Sequence, residues 1–284
     1  MNFFDLHCDT AFRMYKDNLG FDSEILSANS RFLSCFEKWY QCFAVFIEEK
    51  TAEPFIYYKK VLSDLRKKVF LSDYQDLKPV LTVEGGTLIE NDIDRVYTLK
   101  EDGVFALTLT WNGENNIAGG AKSEADLKPF GIDVIKRLNE VKIAADLSHL
   151  NKKSFYKAIE YSDFPIATHS CLCEVHNHIR NINLEMLKLI SEKGGILGLC
   201  LYPEFLGSEN VYEAFYKNVL LCLENGFENN IAVGSDFDGC KTPLNTGDIP
   251  KLYEYLKSRG IEAKTLDKLF FYNAENYLKS FDKL

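Results

Sequence analysis

The sequence predicts a (β/α)8 barrel of the TIM type, a single domain over residues 1–284. Short apolar runs alternate with amphipathic segments along the whole chain, the pattern of strand–helix units around a parallel sheet. The runs are rich in Val, Ile, Phe, Leu and Thr, as strands buried on both faces must be. The first run ends in DLHCDT, where an open doubly wound sheet would usually carry a glycine-rich phosphate turn.

The eight strand-like runs are, in order, NFFDLH, CFAVFIE, PVLTVEGG, VFALTLTWN, KIAADLSHL, PIATHSC, GILGLCLY and IAVGSDFDG. Between them, FIYYKKVLSDLRKKVF, PFGIDVIKRLNE and NLEMLKLISEK place apolar residues at helical spacing. VYEAFYKNVLLCLENG ends at Gly226, a residue suited to a helix C-terminus, and AKTLDKLFFYNAENYLKSF closes the chain as helix. A barrel of about 250 residues is one domain, so 284 residues require no second. Residues 17–40 form a long excursion between the first two strands. Long connections at this end of a barrel are commonly lids, so this one is expected to cover the active site.

Composition narrows the function. Hydrophobic residues make up 46% and charged residues 26%, ordinary for a globular protein. A net charge of -9 with no basic cluster speaks against a nucleic-acid partner. No apolar run reaches the roughly 18 residues of a membrane span. The amino terminus enters a strand with no leader-like pattern, so neither signal peptide nor membrane is expected and the location is read as cytoplasmic. The eight cysteines are irregularly spaced, and Cys171 and Cys173 lack a zinc CxxC spacing; reduced thiols are expected.

The polar residues of the runs fall at one end. His7 and Asp9 close the first strand, Glu84 the third, His149 the fifth, His169 the sixth and Asp236 the eighth. In a barrel these carboxyl ends converge on the face that carries active sites. A single histidine in an apolar run is usually a core residue. A carboxylate such as Glu84 in a buried strand is costly unless paired or metal-bound, and the two glycines after it allow close approach. Three histidines and two acids on strand ends together point to a metal site, with imidazole nitrogen and carboxylate oxygen as ligands. Five ligands serve two sites of three if one carboxylate bridges, an arrangement suited to metal-assisted hydrolysis. Alternation puts Cys8 on the face opposite His7 and Asp9, in packing.

These motifs resemble those of the membrane (renal) dipeptidases, metal-dependent enzymes of the amidohydrolase superfamily. DLHCDT is similar to the family's D-x-H-x-D, TVEGG to V-E-G-G, DLSHL to D-L-S-H and ATHSC to S-H-S. HIRNI is similar to H-x-R-N and GSDFDG to G-D-F-D-G, all in family order from residue 5 to 239. The resemblance implies two zinc ions, one on His7, Asp9 and Glu84 and the other on Glu84, His149 and His169, with Glu84 as bridge. It implies cleavage of a dipeptide amide by a metal-bridged hydroxide, often with a D-residue at the carboxyl end. Asp236 and Asp238 share strand parity, so the residues alone leave the proton carrier open. The family pattern favours Asp236, with Asp238 as a turn residue. Arg180 resembles the arginine that holds the substrate carboxylate, a task suited to a planar guanidinium; His176 and His178 before it are assigned no role. A homodimer is also implied.

One departure stands out. Mammalian members carry a histidine at the end of the fourth strand that contacts the scissile carbonyl, and here Trp111 stands there. Indole donates a hydrogen bond but cannot be cationic. The same ligands would accept cobalt or manganese. Two alternatives remain open at this stage: hydrolysis of another small amide such as an N-acyl amino acid, or a non-catalytic metal-binding relative.

Overall fold

The structure is a computed structural model, and it describes residues 1–281. Eight strands form a closed barrel in sequence order: β1 (Asn2–Cys8), β2 (Lys38–Phe46), β3 (Leu77–Glu84), β4 (Ala106–Thr108), β5 (Ala144–Asp146), β6 (Pro165–Ser170), β7 (Ile196–Leu199) and β8 (Ile231–Val233). All neighbours are parallel, and β1 pairs with β8 to close the ring. The helices are α1 (Thr10–Lys16), α2 (Pro54–Leu65), α3 (Arg95–Glu101), α4 (Pro129–Glu140), α5 (Lys152–Tyr161), α6 (Leu184–Glu192), α7 (Pro203–Leu206), α8 (Val211–Glu224), α9 (Ile249–Ser258), α10 (Ala263–Asp267) and α11 (Asn273–Lys279). Among the described residues, no helix is long and apolar enough to cross a membrane.

Phe4, Cys42, Val80, Ala106, Ala144, Ile166, Ile196 and Ala232, one from each strand, form a buried cluster inside the barrel. Phe271, Ala274 and Leu278 from the carboxyl-terminal segment join it and plug the end away from the site. The larger cluster holds alternate strand residues such as Phe3, Leu81 and Leu107 against the helices. This is the division that period-two alternation imposes on a strand with two apolar faces.

Strict alternation would not assemble the polar end. Phe4 and Leu6 belong to the interior cluster, so His7 should face the helices. The β1–β2 register breaks between Asp5 and Cys8, and the break turns His7 inward. A second break, between Ala167 and Ser170 of β6, does the same for His169. The room for it comes from two glycines. A Cβ on Gly198 would lie 1.9 Å from the Thr168 carbonyl oxygen, and one on Gly234 would lie 1.8 Å from it. Only glycine permits that approach.

Three sequence expectations need correction. The runs proposed as strands four, five and eight are longer than the three-residue ladders observed. Trp111, His149 and Asp236 therefore lie in loops beyond the strand ends. His149 and Asp236 adopt left-handed backbone, at φ 69° and 62°. Side chains avoid that region, at a cost of about 1 kcal/mol or more each, and such strain gathers at functional sites.

The residue 17–40 excursion is the third correction. β2 already begins at Lys38, and no residue from 17 to 40 lines the cavity described below. Phe21 packs against Trp39, Phe43 and Tyr74, and Phe36 stacks on Phe3 at 5.3 Å. The segment is a flank of the barrel, not a lid. Its apolar content, not its length, decides where it goes. Asp238 tethers it by accepting from the Ser27 amide at 2.7 Å, and ties it to α1 by accepting from the Thr10 hydroxyl at 2.6 Å.

Candidate metal centre and active site

The strand ends bring His7, Asp9, Glu84, His149, His169 and Asp236 together, all buried. His7 Nε2 lies 3.4 Å from Asp9 Oδ2, 3.6 Å from Glu84 Oε2 and 3.9 Å from Asp236 Oδ1. On the other side, Glu84 Oε1 lies 2.7 Å from His149 Nε2 and 3.7 Å from His169 Nε2. The two Glu84 oxygens thus face different imidazoles. The donor atoms of His7, Glu84 and His169 fall within 4.8 Å of one another, as do those of His7, Asp9 and Asp236.

The donor chemistry fits a cation. His7 Nε2 and Asp9 Oδ1 are buried with no hydrogen-bond partner, a costly state for polar atoms unless something else satisfies them. His149 Nε2 and His169 Nε2 approach to 2.8 Å. Burial, reinforced by the charge of Arg180 on His149 and of His7 on His169, holds both rings well below the usual histidine range. They are therefore neutral and able to offer a lone pair. Burial also raises Asp9 and Asp236: the Glu84 charge adds to the rise at Asp9, and at Asp236 the Asp9 and Glu84 charges add to it against an opposing His7. At His7 burial acts downward, but the neighbouring Asp9 and Glu84 carboxylates outweigh it and lift the ring well above its ordinary value. The cluster is short of positive charge, and a divalent ion would supply it.

Hydrogen bonds to the far ring nitrogens orient two of the histidines. His149 Nδ1 donates to Asn112 Oδ1 at 3.0 Å, which leaves Nε2 free to face Glu84. His169 Nδ1 donates to Thr168 Oγ1 at 2.9 Å, and that hydroxyl donates to Asp146 Oδ2 at 2.7 Å. Asp146 also accepts from Thr108 Oγ1 and from the Ser148 and Thr168 amides. Such partners fix the tautomer and raise ligand basicity. Asp5 braces the other side, accepting from Ser235 Oγ, the Ser235 amide and Gln41 Nε2. Sequence reasoning missed Asn112, Asp146, Thr168 and Asp5. The signal was present, since Asp5 and Asp146 are carboxylates inside apolar runs with no other reason to be there.

Above the cluster opens a cavity of about 570 Å³, lined by Asp9, Glu84, His149, Arg180 and Asp236 among others. Arg180 is not the exposed loop residue that its position would ordinarily make it. It is buried, its guanidinium lies over the Phe205 ring at 5.1 Å, and Nη2 donates to the His169 carbonyl. Its Nε has no partner. Trp111 lines the cavity with its ring centroid 6.4 Å from that of His149. His178 also lines it, whereas His176 does not. Cys8 packs in the core.

Known proteins share this arrangement of chain. The dipeptidase AC, a metallopeptidase of family M19, superposes with a TM-score of 0.87 at 20% identity, over 98% of both chains. A metallopeptidase from Rhodobacter sphaeroides, solved with a phosphinate mimic of the dipeptide L-Ala-D-Ala, gives 0.84 at 19% identity, over 98% of this chain and 99% of that one. By sequence, an uncharacterized protein of the pqqA 5′ region of Klebsiella pneumoniae is 28% identical over 222 residues, 72% of this chain and 82% of its own. The chain spans 56% and 44% of the length of two other curated relatives that it matches. Residues 59–283 match the sequence model of the membrane dipeptidases, which covers Glu84, His149, His169, Arg180 and Asp236. With most of its length in that match and its fold shared from end to end, the chain belongs to the membrane dipeptidase family, peptidase family M19.

Proposed function

We propose that the protein hydrolyses the amide bond of dipeptides with two divalent metal ions, zinc by preference. The observation that carries this reading is the split of Glu84, one oxygen toward His7 and the other toward His149 and His169. His7, Asp9 and Glu84 would hold one ion, and Glu84, His149 and His169 the other. Bound there, the pair would supply Lewis-acid polarisation of the scissile carbonyl and a lowered pKa for water; cobalt or manganese would suit the same donors.

The chain's own residues do the rest. Asp236 stands beside His7 and Asp9 at the cavity floor, and takes the proton from the attacking water before delivering it to the leaving amine. Arg180, buried and with one unpartnered nitrogen aimed at no protein acceptor, takes the free carboxylate in a bidentate pair. That anchor limits the substrate to a short peptide. Trp111 contacts the substrate as a neutral donor and an apolar surface. A D-residue at the carboxyl end belongs to the same reading, supported by the L-Ala-D-Ala mimic held by the Rhodobacter sphaeroides relative.

Asp236→Asn should keep its metal content and lose about 10²- to 10⁴-fold in kcat. Equal turnover in the two proteins, at equal metal loading, would remove Asp236 from the proton path. Arg180→Ala should raise KM about 10- to 100-fold for dipeptides and much less for dipeptide amides; a parallel rise in both would refute the carboxylate assignment. Thr168→Val should weaken zinc binding about 10- to 100-fold in a chelator competition, with Thr168→Ser restoring it. Undiminished affinity in the valine variant would show that the His169–Thr168–Asp146 chain does not tune the ligand.

A further inference from the structure

The cavity has two unlike walls. Phe12 on α1, Phe46 at the end of β2 and Trp111 beyond β4 make one of them. Phe12 meets Phe46 edge-to-face at 5.4 Å, and Phe46 meets Trp111 edge-to-face at 5.2 Å. The rings therefore brace one another into a continuous surface. All three are only partly buried, whereas Phe3, Phe4 and Phe43 are fully buried. Aromatic surface is thus left open at the edge of the histidine cluster. The facing wall carries Arg180, Tyr202 and Phe205 from the connections after β6 and β7. In an eight-strand ring taken in sequence order, β2 and β6 stand opposite.

We infer that Phe12, Phe46 and Trp111 form the subsite for the side chain of the substrate's amino-terminal residue, and that they select an apolar, preferably aromatic, side chain there. The inference rests on the dipeptide reading above. A dipeptide has one free carboxylate, and Arg180 is the buried cation of the cavity; Lys122 and Lys241 are exposed at its rim. With the carboxylate on the β6–β7 side and the amide over the cluster, the amino-terminal residue lies over β2 and β4. An apolar side chain there loses water against three rings, and an aromatic one also gains edge-to-face contacts. A charged side chain would lose hydration against the rings without a buried partner on that wall.

The test is the ratio of kcat/KM for Phe-Ala over Gly-Ala, with zinc-loaded protein and both L- and D-Ala forms. Using a ratio cancels any loss of active enzyme. The wild type should favour Phe-Ala by about tenfold or more. Phe46→Ala should bring the ratio to within about twofold of one, while leaving the mirror ratio of Ala-Phe over Ala-Gly at its wild-type value. Phe12→Ala, on a short helix, supplies the same reading if Phe46→Ala does not fold. A wild-type ratio near one, or one that survives both substitutions, would overturn the subsite and leave the dipeptidase reading intact. A collapse of the mirror ratio instead would place these rings on the carboxyl side and also overturn it. Failure of the wild type to cleave any dipeptide would defeat the dipeptidase reading, and the subsite with it.

Discussion

A single buried carboxylate organises the polar end of this barrel. Glu84 ends β3 with its oxygens turned to imidazoles carried by β1, by β6 and by the loop after β5. Desolvating a carboxylate inside protein costs several kcal/mol, and Asp9 and Asp236 add further buried negative charge. His7 answers part of it, and Arg180 stands nearby. The balance favours a cation, while burial first, and then the positive charge of Arg180 and His7, keeps His149 and His169 neutral. Each is buried near positive groups, and each is held by a hydrogen bond on its far nitrogen. Charge, tautomer and direction therefore agree at His149 and His169.

Placing those groups required departures from regular geometry. His7 and His169 face the axis because β1 and β6 break register beside them. His149 and Asp236 reach it through left-handed backbone. Gly198 and Gly234 give up side chains so that β6 can move inward at Thr168. Each device costs stability, and the closed ladder and two large apolar clusters elsewhere offset it.

The fold was largely legible in the sequence because burial on both faces leaves an unmistakable apolar run, and eight of them alternate with helical periodicity. PFGIDVIKRLNE coincides with α4, whose apolar stripe and leading proline mark it clearly. The convergence of His7, Glu84, His149 and His169 followed from barrel geometry alone. What stayed hidden depends on contacts between strands. The register breaks leave no local mark, since the residues around them are ordinary strand formers. Asp146, Thr168 and Asn112 gain meaning only from neighbours tens of residues away. The residue 17–40 excursion was misjudged because length was weighed above its buried Phe21, Leu26, Ala28 and Phe36.

The central claim is that Glu84 is shared between two metal sites. Zinc stoichiometry and affinity, measured by titration of the wild type, Glu84→Gln and His149→Ala, test it directly. The account predicts two ions per wild-type chain, loss of both tight sites in Glu84→Gln and retention of one in His149→Ala. A wild type that binds one ion or none, or a Glu84→Gln variant that keeps one site at full affinity, would contradict it.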